Sequence, residues 1–259
     1  MWGTASVIDP RYVLRVWRRN AIVWSKYWLG SFVGTAGEPL LYLFLLGYGM
    51  ERLIKEVGGM PYSRYIAPGL ILTATMYDAT FECTYASFTR MTKQNTYRSI
   101  ISTPVNLAEV VAGDILWATT RGVLSAALVS ALLAGLGILT APTLVLMPVL
   151  AILCGLLFGS MAMVATGLAR DYDFFTYFFT LIVSPMFLMS GIFFPLEGLS
   201  GWAGAIAESL PMTWLVRLSR ALSYGQTDPQ MFSDLAKCVA VTAVLFVISI
   251  RLVRRRLIR

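Results

Sequence analysis

Six apolar stretches, each long enough to cross a bilayer, limit what this chain can become more than any other feature of it. A spanning helix needs about 20 mostly apolar residues. The stretches run from Leu29 to Tyr48, interrupted by Glu38-Pro39, and from Ile66 to Phe88, which carries Asp78 and Glu82. The third covers Val110 to Leu139, polar at its start with Asp114 and Arg121, and the fourth Thr143 to Leu168. Phe174 to Phe194, rich in Phe and Tyr, and Leu235 to Leu252 complete the set. Of the 259 residues 57% are hydrophobic and 14% charged, against about 45–50% and about 25% in soluble domains. A domain of this length has no core large enough for that excess, so lipid must act as part of the solvent. No repeat, low-complexity tract or linker divides the sequence. The expected fold is one all-α membrane domain over residues 1–259.

Six spans leave both termini on one side of the bilayer, and the basic residues indicate which. That side collects Arg11, Arg15, Arg18, Arg19 and Lys26, then Arg90, Lys93 and Arg98, then Arg170, and the tail Arg251, Arg254, Arg255, Arg256 and Arg259. The other holds Arg52, Lys55, Arg64, Arg217, Arg220 and Lys237. Fourteen against six predicts cytoplasmic termini. Five or seven spans would split the two basic ends across the membrane. The net charge of +7 therefore reads as topology rather than as a nucleic-acid surface. Residues 11–28 differ from the spans. Val13, Val16, Trp17, Val23, Trp24, Tyr27 and Trp28 recur at helical spacing, with the basic residues largely on another face. Such a helix lies in the membrane interface, as an anchor or more. The basic residues precede any long apolar run, the wrong order for a cleavable signal.

Several chemistries are excluded. The chain has no His, which removes imidazole triads, the HExxH zinc motif and His proton relays. Cys83, Cys154 and Cys238 are isolated, with no CxxC, so no metal or redox pair is indicated. No phosphate-cradling G-x-x-x-x-G-K-[ST] occurs, and no G-x-S-x-G elbow. Ser190-Gly191 invites comparison with an intramembrane serine protease, but a base is missing.

Charges at membrane depth must face protein or water. Asp78 and Glu82, four apart, share one helix face. They read either as the polar wall of a substrate path or as residues satisfied by partners elsewhere. Asp114 and Arg121 are two turns apart and could flank a partner helix. Glu38-Pro39 reads as a kink or a cytoplasmic entrance. Gly30-x-x-x-Gly34 and Gly155-x-x-x-Gly159 permit close helix approach, within the chain or at a dimer seam. The aromatics Phe174, Phe175, Tyr177, Phe178 and Phe179 read as an interfacial belt or as rings that stack on sugars. After the fifth span, Ser190-Gly191 and Phe194-Pro195 lead into two segments, Leu199 to Ile206 and Glu208 to Leu222, too short or too polar to span, with Pro211 between them. This pattern predicts a re-entrant element over residues 195–222, outside the cytoplasm.

At these residues the chain resembles the permeases of ABC type-2 exporters. The signature comprises Ser190-Gly191, Pro195, Leu210-Pro211 and Arg220, nine residues past Pro211. Trp214 departs from it, standing where His, Ser, Tyr or Arg is usual. Further runs are similar to the nodulation-type lipo-oligosaccharide exporter permeases: Glu38 to Leu43, Ala79 to Glu82, Gln94 to Tyr97, Thr103-Pro104, Gly113 to Thr120 and Asp171 to Phe174. The resemblance covers nearly the whole chain. It implies a permease homodimer in a bacterial inner membrane, joined to two copies of a separate ATPase that binds ATP and Mg. It implies that the interfacial helix and a coupling loop over residues 90–108 seat on those ATPases, through Arg18, Arg19, Tyr97, Arg98, Ile101, Thr103 and Pro104. Glu38, Asp78, Glu82, Tyr177 and Phe178 would then line a substrate path, and Ser190, Gly191, Pro195, Pro211 and Arg220 form a gate. The cargo would be an amphiphilic glycan such as a lipo-oligosaccharide or polysaccharide.

Two other readings stay open. An intramembrane transferase acting on a lipid-linked sugar would use Asp78 and Glu82 as acid and base, although such pairs usually flank the bond from separate elements. An ATP-independent transporter would need matched interrupted helices, which the sequence lacks.

Overall fold

A computed structural model describes residues 8–30, 37, 41–49, 54, 56–57, 59–139, 141–198, 201–225 and 229–257. Glu38 and Gly34 lie outside these residues, as do nine of the twenty residues of the first expected span. Helix α1 (Pro10–Trp24) starts where the Asp9 carboxylate accepts from the backbone N–H of Arg11 at 2.8 Å, with Pro10 at the first helical position. Both are ordinary helix-start chemistry. A turn at residues 25–27 ends it.

The longest polar-bearing helix is α2. It runs through Tyr62–Phe81, widens into a π turn at Glu82–Ala86 and resumes over Ser87–Thr92. The Thr80, Thr84 and Ser87 hydroxyls bond back to the carbonyls of Met76, Thr80 and Glu82, a habit that loosens the regular ladder. Within Tyr62–Phe81 all residues but Arg64, Tyr77 and Phe81 are buried. The sequence places this span at Ile66 to Phe88. The helix is longer at both ends because its polar ends are satisfied by protein: the Tyr62 hydroxyl donates to the Phe193 carbonyl at 3.0 Å, and Arg90 is ion-paired.

Asn95, with φ of 52°, turns the chain into the short α3 (Thr96–Ile101); Asn tolerates this left-handed conformation. Then come α4 (Leu107–Gly135) and α5 (Ala141–Leu168), followed by α6, which passes from Asp173–Phe178 through a π turn at Phe179–Val183 to Ser184–Leu188. The sequence extends this fifth span to Phe194. It ends at Leu188, where Met189 leaves helical geometry, and Gly191 beyond it takes φ of +78°. Two shorter helices, α7 (Trp202–Ser209) and α8 (Pro211–Tyr224), precede α9 (Gln230–Leu257). A two-residue antiparallel pair, Glu56–Val57 with Met60–Pro61, precedes α2.

Leu107–Gly135, Leu146–Leu168 and Gln230–Leu257 are each long and apolar enough to cross a membrane, with Asp173–Leu188 a shorter apolar helix. The chain is thus a helical, multi-pass membrane protein. Its helices approach closely at glycines. A Cβ on Gly155 would fall 2.8 Å from the Cα of Thr119, and one on Gly122 2.7 Å from the Thr75 methyl. Both glycines of Gly155-x-x-x-Gly159 face α4 of the same chain, Gly159 lying against Ile115. At the end of α9, Arg256 donates to the carbonyls of Thr166, at 2.9 Å, and of Ala169. It thereby caps α5, whose last carbonyls have no helical partner.

Candidate functional site

Where α2 passes α4, five ionised side chains form one connected cluster. Arg121 donates through Nη2 to Asp78 at 2.9 Å and through Nη1 to Glu82 at 2.7 Å. Arg90 donates to the other oxygen of Glu82 at 2.7 Å and to Asp114 at 3.1 Å. Asp78 also accepts from Ser125. Three carboxylates thus share two guanidiniums. Buried charge is tolerable only when paired and hydrogen-bonded, and neutral donors carry the surplus on Asp114. It accepts from Asn20 Nδ2 at 2.7 Å, Ser87 Oγ at 3.0 Å and the Tyr97 hydroxyl at 2.6 Å.

Those donors come from three separate elements. Asn20 belongs to α1, Ser87 and Arg90 to α2, and Tyr97 to α3. Asp114 therefore fastens the N-terminal helix and the α2–α4 connection to the helix bundle at one carboxylate. Other contacts strengthen the α1 joint. Val16 packs on Gly113, where a Cβ would fall 2.6 Å from the Val16 Cβ. Trp17 Nε1 donates to Thr120 Oγ1 at 2.9 Å, and Trp17 and Trp24 meet Trp117 edge-on. Glu109 ties the two helix starts together, accepting from the backbone N–H of Asp9 at 3.0 Å and of Asn106 at 2.7 Å. The aromatic face that the sequence assigns to the membrane interface is therefore divided. Val16, Trp17 and Trp24 pack on α4, while Leu14, Ile22, Val23, Tyr27 and Trp28 remain exposed.

Among the expected coupling residues, Tyr97 is buried at Asp114, and Ile101 is half-buried against the core. Arg18, Arg98, Thr103 and Pro104 are exposed, and Arg19 is half-buried. Burial and the neighbouring Arg90 pull the Arg19 guanidinium below its ordinary value, while Asp114 and Tyr97 act the other way. It stays protonated at any working pH. Of the expected path residues, Asp78 and Glu82 belong to the cluster, Tyr177 is exposed and Phe178 buried. The remaining aromatics of α6 pack within the chain: Phe179 meets Phe81 in a tilted pair at 4.5 Å between ring centres, and Phe175 meets Tyr85 and Phe88 edge-on.

The other end of α2 carries the signature residues. Arg220 of α8 reaches across 29 positions to donate to the Gly191 carbonyl at 2.6 Å and the Ile192 carbonyl at 3.2 Å. Its guanidinium lies over the Tyr65 ring, 3.8 Å from the centre, a cation–π geometry. Ser190 is buried, donating to the Phe187 carbonyl at 2.7 Å. Pro211 opens α8, which packs back against α2, α5 and α9, and Pro195 is exposed in the preceding loop. Trp214 uses its indole N–H on the Glu208 carbonyl at 2.8 Å. Nearby, Arg217 binds the buried Asp234 at 2.8 Å and Glu208 at 2.6 Å.

Asn20, Ser87, Arg90 and Ser125 escape a reading of the sequence as parts of the cluster. Arg90 stands out there only as a basic residue of a loop. At 3.6 residues per turn, position i+8 lies about 80° round the helix from position i. The π turn holds one more residue than an α turn, which brings Arg90 back into line with Glu82.

The ABC-2 type transporter family matches residues 11–224. Nodulation protein J of Rhizobium leguminosarum bv. trifolii is 36% identical over 247 residues, covering 95% of this chain and 94% of that one. Nodulation protein J of Sinorhizobium fredii (strain NBRC 101917 / NGR234) is 31% identical over the whole of both. The inner membrane transport permease YadH of Escherichia coli (strain K12) is 22% identical, over 93% of each. A helical membrane bundle in which Arg220 of the exporter signature binds Gly191 of the same signature, matched over most of its length by this family, is a membrane permease of the ABC-2 type transporter family.

Proposed function

We propose that the chain is the permease subunit of an ATP-driven exporter that moves an amphiphilic glycan, such as a lipo-oligosaccharide, out of the cytoplasm. The observation that carries the reading is the Asp114 joint. A permease without a nucleotide site needs elements that feel a motor on another chain, and α1 and α3 are the elements bound to Asp114. On this reading two copies of a separate ATPase, which binds ATP and Mg, press on the exposed residues Arg18, Arg98, Thr103 and Pro104. The push passes through Tyr97 and Asn20 to Asp114, and so to α2 and α4. Two permease chains form the working unit in the inner membrane of a bacterium, with six spans and both termini in the cytoplasm. Residues 195–222 form the re-entrant element on the far side, and Arg220 with Gly191 holds its gate. Tyr177, exposed on α6, faces the path.

Likeness to the nodulation proteins J supports glycan cargo, and the basic residues of α1, α3 and the tail support cytoplasmic ends. The transferase alternative gains nothing from the geometry, because both of its carboxylates are held by Arg121.

The test is co-expression with a candidate partner ATPase of the ABC type. The expected result is a co-purifying complex whose ATP hydrolysis drives labelled lipo-oligosaccharide into inside-out vesicles. ATP hydrolysis by the verified pure permease, or uptake that persists without the ATPase, would overturn the reading.

A further inference from the structure

Beneath α1, between it and the π-turn end of α2, lies a cleft of about 380 Å³, within the range of about 300–1,000 Å³ usual for ligand sites. Its walls include Arg19, Tyr27, Tyr85, Arg90, Gln94 and Trp117, with no Asp or Glu among the residues that line it. The two arginines differ. Arg90 is engaged by Glu82, Asp114 and Ser87, and its buried Nε–H finds no acceptor among the described residues. Arg19 is half-buried, and its Nη1 donates to Asn20 Oδ1 at 3.1 Å. Among the described residues no carboxylate lies within ion-pair distance of Arg19. Burial and Arg90 act against the charge on Arg19 more strongly than Asp114 and Tyr97 support it, so an anion from outside the chain would stabilise it.

The rim of the cleft adds a second requirement. Val23 and Tyr27 line it, and Ile22, Trp28 and Leu29 continue the same stretch, 52%, 50% and 63% exposed. A free anion has no use for that apolar strip, whereas a molecule with an anionic head and acyl chains uses both parts. The bilayer around the chain contains such molecules. Basic pockets beside membrane helices suit anionic lipid headgroups.

We propose that the cleft binds the phosphate of an anionic phospholipid of the surrounding bilayer. Arg19 is its main contact, Gln94 and Tyr27 supply donors, and the acyl chains lie along Ile22, Trp28 and Leu29. The lipid would then bridge α1 to the end of α2. The proposal requires only that the chain sits in a bilayer, and it is independent of the cargo and of the ATPase.

The test is a binding titration of the purified chain in a neutral detergent, read by native mass spectrometry. The probes are dihexanoyl phosphatidylglycerol, dihexanoyl phosphatidylcholine and inorganic phosphate. The expected result is saturable binding of phosphatidylglycerol at least tenfold tighter than of either other probe. Arg19→Gln weakens it at least fivefold. Arg11→Gln, exposed and outside the cleft, leaves it unchanged. Val23→Glu, which sets a carboxylate one helical turn from Arg19 and so competes for it inside the cleft, weakens it too and serves where Arg19→Gln fails to fold. Equal affinity for the two lipids would overturn the proposal, as would no loss in a folded Arg19→Gln or Val23→Glu chain. Inorganic phosphate bound as tightly as the lipid would mark a soluble-anion site instead. Displacement of the lipid by a neutral lipo-oligosaccharide, with the same dependence on Arg19, would assign the cleft to cargo.

Discussion

Both ends of α2 are held by arginines, by opposite means. At one end Arg90 and Arg121 bind the side chains of Asp78, Glu82 and Asp114. At the other, Arg220 binds the backbone carbonyls of Gly191 and Ile192 and covers the Tyr65 ring. Tyr65 and Arg90 are 25 positions apart on a nearly continuous helix, roughly 37 Å at 1.5 Å per residue, comparable with the bilayer's hydrocarbon thickness of about 30 Å. The first arrangement depends on which side chains face each other, so it is tied to helix register. The second depends on the path of the chain beyond α6, because Gly191 and Ile192 lie past its last helical residue, Leu188. A cluster of matched charges can exchange partners when helices shift. A guanidinium clamped on backbone resists such a shift and suits a fixed corner.

The sharpest way to break this comparison is Asp114→Ala. It removes the acceptor for Arg90, Asn20, Ser87 and Tyr97 at once and leaves Arg90 underpaired in a buried site. Loss of one partner from a buried ion pair costs about 3–5 kcal/mol. Thermal unfolding in detergent is expected to show the largest fall of the series, with α1 freed to proteolysis. A chain that keeps its melting temperature would mean that the cluster is not what holds α1 and α3.

Arg220→Met comes next. It strips two hydrogen bonds made by one nitrogen but leaves no buried counter-charge behind, and about 1.5–3 kcal/mol in all is expected to go. Arg220→Lys is expected to rescue little, since the shorter ammonium side chain cannot both reach the two carbonyls that Nη2 binds and keep a flat cation over the Tyr65 ring. Full rescue by Lys would show that charge over the Tyr65 ring, rather than the carbonyl clamp, is what matters there. Combining Asp114→Ala with Arg220→Met tests whether the two ends are separate. Distant sites add to within about 0.3–0.5 kcal/mol, and a larger departure would mean that α2 transmits strain between them.

Tyr97→Phe deletes one hydroxyl at 2.6 Å from Asp114. About 1–2 kcal/mol of stability is expected to go, with a clearer loss of ATPase-coupled transport, measured as cargo moved per ATP hydrolysed. The smallest structural effect is expected from Arg98→Ala. Arg98 is exposed, and surface changes usually stay within about 0.5 kcal/mol. Its expected signature is weaker co-purification of the ATPase at unchanged melting temperature. A drop in melting temperature as large as that of Tyr97→Phe would make Arg98 a structural residue and blur the division between the buried joint and its exposed contacts.

The parts of this arrangement that the sequence reveals are those with local rules. The pair Asp78 and Glu82 and the pair Asp114 and Arg121 each follow from helix spacing, so their shared faces are legible without coordinates. The arginine at position 220 is legible through the signature it shares with exporter permeases, although its contact with Gly191 is not. The aromatics of α6 illustrate the opposite case. Sequence leaves them as a belt or a sugar platform, whereas Phe175 and Phe179 pack on α2. Periodicity gives the face of a helix but not the neighbour that the face meets.

The sequence by itself determined that this chain lies in a membrane, that it is helical, and that its family is the ABC-2 type transporters. Length of apolar run and the cost of bare backbone in lipid leave few other outcomes. Tertiary structure alone decided the rest. The π turn at Glu82–Ala86 rotates Arg90 onto Glu82. The turn after α6 brings the Gly191 carbonyl to Arg220 of α8. Asn20, Ser87 and Tyr97 meet on Asp114 from positions up to 94 residues away. The first depends on a local widening of one helix and the other two on contacts between elements distant in sequence, and regular residue spacing along a single helix encodes neither.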